Sequence, residues 1–139
     1  MIRILQVVND MHRAGLETML MNYYRHLDRD QFQFDFLVNK EKPGFFDDEV
    51  RSLGGRIFMG PGLSPLKYPE YLRYMKTLLD REKEIKVLHA HNEAMEFYAL
   101  EGAKKAGFPG KYGDIDGGLS ELLQYYDISR RDFSELFSP

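Results

Sequence analysis

Two apolar runs in this chain of 139 residues end in polar clusters whose residue types could do chemistry. Ile2 to Val8 runs into Asn9-Asp10-Met11-His12-Arg13-Ala14-Gly15-Leu16-Glu17, and Ile85 to Leu88 runs into His89-Ala90-His91-Asn92-Glu93. Asp10, His12 and Arg13 offer a carboxylate, an imidazole and a guanidinium to a phosphate or another polar ligand, and Gly15 allows close approach to the backbone. His91 and Asn92 add a second imidazole and an amide. His89 and His91, two apart, would share one side of a strand as a metal pair does, but a site takes three or four ligands and no third stands nearby. No metal is expected. His89 is expected to be a partly buried, hydrogen-bonded histidine at a strand end, which leaves His91 as the site residue. Glu93 and Glu101 would lie about 80° apart on a helix, so a shared solvated face accounts for them.

Such clusters are positioned by the elements that flank them. After Ile2 to Val8, Leu16, Met19, Leu20, Tyr23, Tyr24 and Leu27 recur at three- and four-residue intervals, the stripe of an amphipathic helix. Phe32, Phe34 and Phe36 alternate with Gln33 and Asp35 as in a strand. Pro43-Gly44 opens a short helix over 45–53, and Gly54-Gly55 supplies a left-handed stop. A third strand spans 56–59, the loop 60–65 is rich in breakers, and Pro69 sits at the start of a helix carrying Tyr71, Leu72, Met75, Leu78 and Leu79. The strand 85–91 and a helix ending at Gly107 complete four βα units, an alternation that predicts an α/β domain of three layers, its four-stranded, mainly parallel sheet covered by helices on both faces. With strand order 3-2-1-4, the carboxyl ends of strands one and four become neighbours at a topological switch point, where both polar clusters would meet a ligand. From Phe108 to Gly118, four glycines and a proline read as a linker without a strand, and Ser120 and Ser129 could cap helices beyond it.

Composition narrows the function classes. Basic and acidic residues balance at sixteen each up to Gly110, so the net charge of −3 lies wholly in the last 29 residues. Nucleic acid, which demands a basic surface, is not an expected partner. The absence of cysteine excludes disulfides, thiolate catalysis and cysteine zinc sites. No apolar run reaches the length of a membrane span. The expected location is the cytoplasm, with peripheral attachment to the inner membrane face left open, since a few surface Lys and Leu residues suffice.

Five segments in order carry a family resemblance: Ile4-Leu5-Gln6-Val7-Val8; Ala14-Gly15-Leu16-Glu17 with the following Thr18 to Arg25; Phe34-Asp35-Phe36-Leu37-Val38; Leu53-Gly54-Gly55-Arg56-Ile57; and Val87-Leu88-His89-Ala90-His91. Together they resemble the amino-terminal, acceptor-side domain of bacterial GT-B glycosyltransferases of group 1, the enzymes of capsule and exopolysaccharide synthesis. The resemblance covers residues 1–109 and implies a Rossmann-like fold. It implies that Gly15 approaches the donor phosphates and that His91 lies beside the reacting sugar or the acceptor, with Asp10, His12, Arg13 and Asn92 near substrate or phosphate. It departs from the family at Ala14-Gly15-Leu16-Glu17, where Gly-Gly-Ala-Glu is usual. The family's fifth strand and donor domain are not recognisable after Pro109.

The expected organisation is therefore a Rossmann-like acceptor-side domain over 1–109, a glycine-rich linker over 110–118 and a helical segment over 119–139 that packs back on the domain, as the family's last helix does. In the parent enzyme the partners would be a glycan or lipid-linked sugar acceptor, with a nucleotide sugar bound only when a donor domain is present. The chain alone is expected to need no cofactor and to show no turnover. Two alternatives remain from other classes: a non-catalytic module that self-associates through the face once turned to the donor domain, and a nucleotide-binding regulatory domain. The second lacks the Gly-x-Gly-x-x-Gly fingerprint after its first strand.

Overall fold

A computed structural model describes residues 2–8, 15–39, 43–90, 93–109 and 111–114. In chain order the elements are β1 (Ile2–Val7), α1 (Gly15–His26), β2 (Phe32–Val38), α2 (Asp47–Ser52), β3 (Ile57–Met59), a 3-10 turn (Pro65–Lys67), α3 (Tyr68–Arg81), β4 (Ile85–Ala90), α4 (Glu93–Lys105) and β5 (Lys111–Asp114). The sheet is parallel in every pairing and runs β3-β2-β1-β4-β5.

The expected α/β class and the 3-2-1-4 order are both present, and one strand is added. β5 pairs with β4, Val87 opposite Lys111 and Ala90 opposite Asp114, inside the stretch expected to be linker. Its glycine and proline neighbours conceal it in the sequence, because an edge strand is held by backbone hydrogen bonds to one neighbour and needs no alternating apolar pattern. The helical segment expected over 119–139 lies outside the described residues.

Each face of the sheet carries its own core. α1 and α2 cover one face, where Leu20, Met21, Tyr24 and Val50 pack on Ile4, Val8, Phe34 and Phe36. α3 and α4 cover the other, where Tyr71, Met75, Leu78, Ala99 and Ala103 pack on Leu5, Val7, Leu37 and Leu88. Right-handed crossovers require this division: connections leading from β1 toward β3 fall on one side, and those leading through β4 to β5 on the other. The reversal occurs between β1 and β4.

Because both faces are covered, β2 is buried along its whole length, its polar positions included. Tyr24 stacks on Phe34 with ring centroids 5.2 Å apart, and its hydroxyl donates to the Gln33 amide oxygen. Burial pushes that hydroxyl's pKa up, so it stays a donor. Gly55 is required beneath this ring, where a Cβ would stand 2.6 Å from the Tyr24 hydroxyl. Gly54, at φ +98°, makes the left-handed stop expected after α2. Tyr23, counted on the apolar stripe of α1, is 43% exposed: the stripe read from spacing is wider than the face that packs.

Candidate functional site

At the carboxyl edge of the sheet, β1 and β4 lie side by side with Gln6 opposite His89. Both side chains are buried, and His89 Nδ1 lies 3.0 Å from Gln6 Oε1. An amide oxygen only accepts, so Nδ1 is the donor in this contact. His89 is thus the hydrogen-bonded strand-end histidine the sequence led us to expect, more fully buried than expected. Its partner Gln6 was not singled out, although a polar residue amid Ile4, Leu5, Val7 and Val8 is a legible signal of a buried hydrogen bond.

Two more polar groups reach the same edge. Asn39, just past β2 and 6% exposed, donates through Nδ2 to the Val8 carbonyl at 3.4 Å. Its Oδ1 is buried and has no hydrogen-bond partner among the described residues. Glu17, in the first turn of α1, is 4% exposed, and its Oε2 also lacks a partner among the described residues. The free amides of a helix amino end favour a carboxylate there. Unmatched acceptors at a strand edge suit ligands that bring hydroxyl donors. Asn39 was missed by the sequence because a lone Asn after a strand ordinarily marks a turn.

Gly15 is the first residue of α1 and lies at this edge. Asp10, His12, Arg13, His91 and Asn92 lie outside the described residues. Glu101 is half-buried on α4.

The opposite, amino edge is charged and closed. Asp35, fully buried on β2, accepts from Arg3 Nε and Nη2 at 2.8 and 2.9 Å and from Arg56 Nη2 at 2.8 Å. Arg56 Nη1 reaches Glu82 at 2.7 Å, just before β4. Hydrogen bonding to Asp35 and then to Glu82 holds the Arg56 pKa above its ordinary value despite partial burial. Burial works against the Glu82 carboxylate, but hydrogen bonds from Arg56 and Arg81 outweigh it and hold its pKa below the usual range. Every charge in this network faces an opposite one, the condition under which ions tolerate a low-dielectric site.

No family model matches the chain. Known proteins do resemble it. The chain is 35% identical over 107 residues, 77% of its length, to a protein of Bacillus subtilis (strain 168) named glycosyltransferase EpsF. It is 31% identical over 91 residues, 66% of its length, to the capsular polysaccharide biosynthesis glycosyltransferase CapH of Staphylococcus aureus. The crystal structure of a glycosyltransferase from Rickettsia africae superposes with a TM-score of 0.60 and 14% identity, covering 81% of this chain and 29% of that one. The chain is a bacterial GT-B glycosyltransferase domain.

This glycosyltransferase domain spans 28% and 24% of the length of those two curated relatives. The buried polar side chains described at its carboxyl edge are the Gln6 and Asn39 amides, the His89 imidazole and the Glu17 carboxylate.

Proposed function

We propose that this domain is the acceptor-side half of a sugar-transferring enzyme. It binds a glycan or lipid-linked acceptor over the carboxyl ends of β1 and β4, working at the inner face of the cytoplasmic membrane. A donor domain opposite would hold the nucleotide sugar. The observation that carries this reading is the β1–β4 switch point lined by buried hydrogen-bonding groups, in a chain 35% identical to a glycosyltransferase.

In the transfer, an acceptor hydroxyl attacks the anomeric carbon of the nucleotide sugar. The bond to the leaving phosphate oxygen breaks, and the hydroxyl proton passes to a base or to the leaving phosphate. Charge that develops on that phosphate needs cations and backbone amides aimed at it. The edge groups of this domain instead suit the acceptor, Gln6 and Asn39 by fixing the strand ends and Glu17 by accepting from a hydroxyl. The family resemblance assigns Gly15 to the approach of the donor phosphates and His91 to the reacting sugar, with Asp10, His12, Arg13 and Asn92 around them. A polypeptide limited to these 139 residues, which span 28% and 24% of the relatives' lengths, is expected not to turn over.

Two measurements test this. The purified chain, given nucleotide sugars and a lipid-linked acceptor, should transfer no sugar above the protein-free background; transfer by the chain alone would overturn the half-enzyme reading. A chimera carrying residues 1–109 in place of the matching segment of the Bacillus subtilis relative should transfer sugar. His91→Ala in that chimera should lower kcat by about 100-fold or more, the usual loss when a group acting in proton transfer is removed. A folded chimera indifferent to His91→Ala would remove His91 from the site.

A further inference from the structure

We propose that the exposed ring of Phe97, braced on Tyr68 between α3 and α4, is a stacking site for a sugar of the acceptor other than the one that receives the transferred unit, so that the acceptor is an oligosaccharide. The proposal rests on the acceptor-side reading and adds a chain-length requirement to it. Phe97 is 56% exposed on α4, yet its ring is held. It stacks on Tyr68 with centroids 5.9 Å apart and an interplanar angle of 21°, and it meets Tyr98 edge-on, also at 5.9 Å. Tyr98 packs in turn against the fully buried Tyr71, with centroids 5.5 Å apart. A chain of rings thus runs from the core between the two helices out to solvent. Lys105 Nζ lies 5.7 Å from the centroid of the Tyr68 ring, a cation on the aromatic plate that holds Phe97 in place.

The surroundings of the ring select the ligand. The face of an aromatic ring is electron-rich and the C–H bonds on one face of a pyranose are weakly positive, so the two surfaces attract while both shed apolar area. Hydroxyls at the edge of such a sugar need donors and acceptors together. Both are at hand. Glu101 and Lys104 follow Phe97 by four and seven residues on the same face of α4, and Lys67 and Glu70 flank Tyr68 at the start of α3. Glu101 is half-buried and the other three are exposed. A rim of both signs suits a neutral polyhydroxylated ligand better than an anionic surface. One exposed ring offers on the order of 100 Å² of apolar contact, far below the ~800 Å² per partner of a stable protein interface. Position decides which sugar it meets. α4 starts at the carboxyl edge of the sheet, and Phe97 lies four residues into it, about 6 Å along the axis. An acceptor whose reacting hydroxyl lies over the ends of β1 and β4 reaches this ring with a neighbouring sugar and not with the reacting one.

The test is the dependence of binding on glycan length. Titrated with cello- and chito-oligosaccharides from the monosaccharide to the hexasaccharide, the chain should bind the hexasaccharide of at least one series about tenfold or more tighter than its monosaccharide, and Phe97→Ala should lower the hexasaccharide affinity by about tenfold. The chain has no tryptophan, so Phe97→Trp sets a single indole at the stacking position. That variant should keep the length dependence, and its emission should shift to the blue as the hexasaccharide binds. No binding in either series, equal affinity for short and long members, a Phe97→Ala chain as length-dependent as the parent, or an indole that ignores the hexasaccharide would overturn the proposal. So would a dimer that Phe97→Ala dissociates or vesicle binding that it abolishes without any glycan binding, which would assign the ring to a second copy of the chain or to a bilayer. A chimera that transfers no sugar counts against the acceptor-side reading, whereas length-independent binding counts against the ring alone.

Discussion

At the scale of single residues, Asp35 bears most on folding. Its carboxylate lies at zero exposure between two guanidinium groups. Asp35→Asn would keep the shape and remove the charge, leaving Arg3 and Arg56 facing each other in a site with little water. Breaking a buried pair in this way costs about 3–5 kcal/mol, and urea unfolding should show a loss of that size. Glu82 adds a pH dependence. Its folded pKa lies below the ordinary 4.5, so its contribution is fully present above that value and is lost as pH falls through the lower, folded value. The acid limb of the stability curve should therefore be shallower in Glu82→Gln than in the parent, measured by thermal unfolding between neutral pH and about pH 3. None of this was legible in the alternation of Phe32, Gln33, Phe34, Asp35 and Phe36, which marks a strand but says nothing about whether helices cover both of its sides. The hydrogen-bonded role of His89 was legible, because few stable options exist for a histidine at the end of an apolar strand.

At the scale of elements, α3 and α4 pack closely because Gly102 has no side chain. A Cβ there would lie 2.8 Å from Cγ and 3.0 Å from Cβ of Met75. Gly102→Val would push the helices apart at a cost of about 1–3 kcal/mol, to be read from the unfolding midpoint. Restoring the fit with Met75→Ala in the double variant should recover part of the loss, since contacting residues do not add independently. The four βα units were legible because α1, α3 and α4 carry apolar residues at helical spacing and α2 and α4 are followed by glycines, Gly54 and Gly107, both of which have positive φ. β5 was not legible, because four residues with a glycine among them leave no period to detect. Amide hydrogen exchange tests the strand directly. The amides of 111–114 that bond to β4 should be protected relative to exposed loop amides, and exchange as fast as in an unstructured peptide would refute the pairing.

At the scale of the whole molecule, the two ends of the sheet differ in character. Paired charges close the amino end, while at the carboxyl end Asn39 Oδ1 and Glu17 Oε2 are buried without a hydrogen-bond partner among the described residues. Asp35 bonds Arg3 and Arg56 while Gly102 faces Met75 and Leu72, so the unfolding free energy of the Asp35→Asn, Gly102→Val double variant should equal the sum of the single effects within about 0.5 kcal/mol. The switch point itself was legible from the order of elements, since handedness leaves few ways to wind four βα units. The hydrogen bonds that line it were not, because Gln6 and Asn39 meet their partners only through pairings with strands distant in sequence.

The arginine-clamped aspartate has an evolutionary consequence. An anchor of this kind lets the loops at the far end of the strands diverge without loss of the scaffold that carries them. Related chains should then accept different sugars by drift in those loops while retaining the residues corresponding to Arg3, Asp35 and Arg56, so that heritable change in specificity is decoupled from heritable change in foldedness.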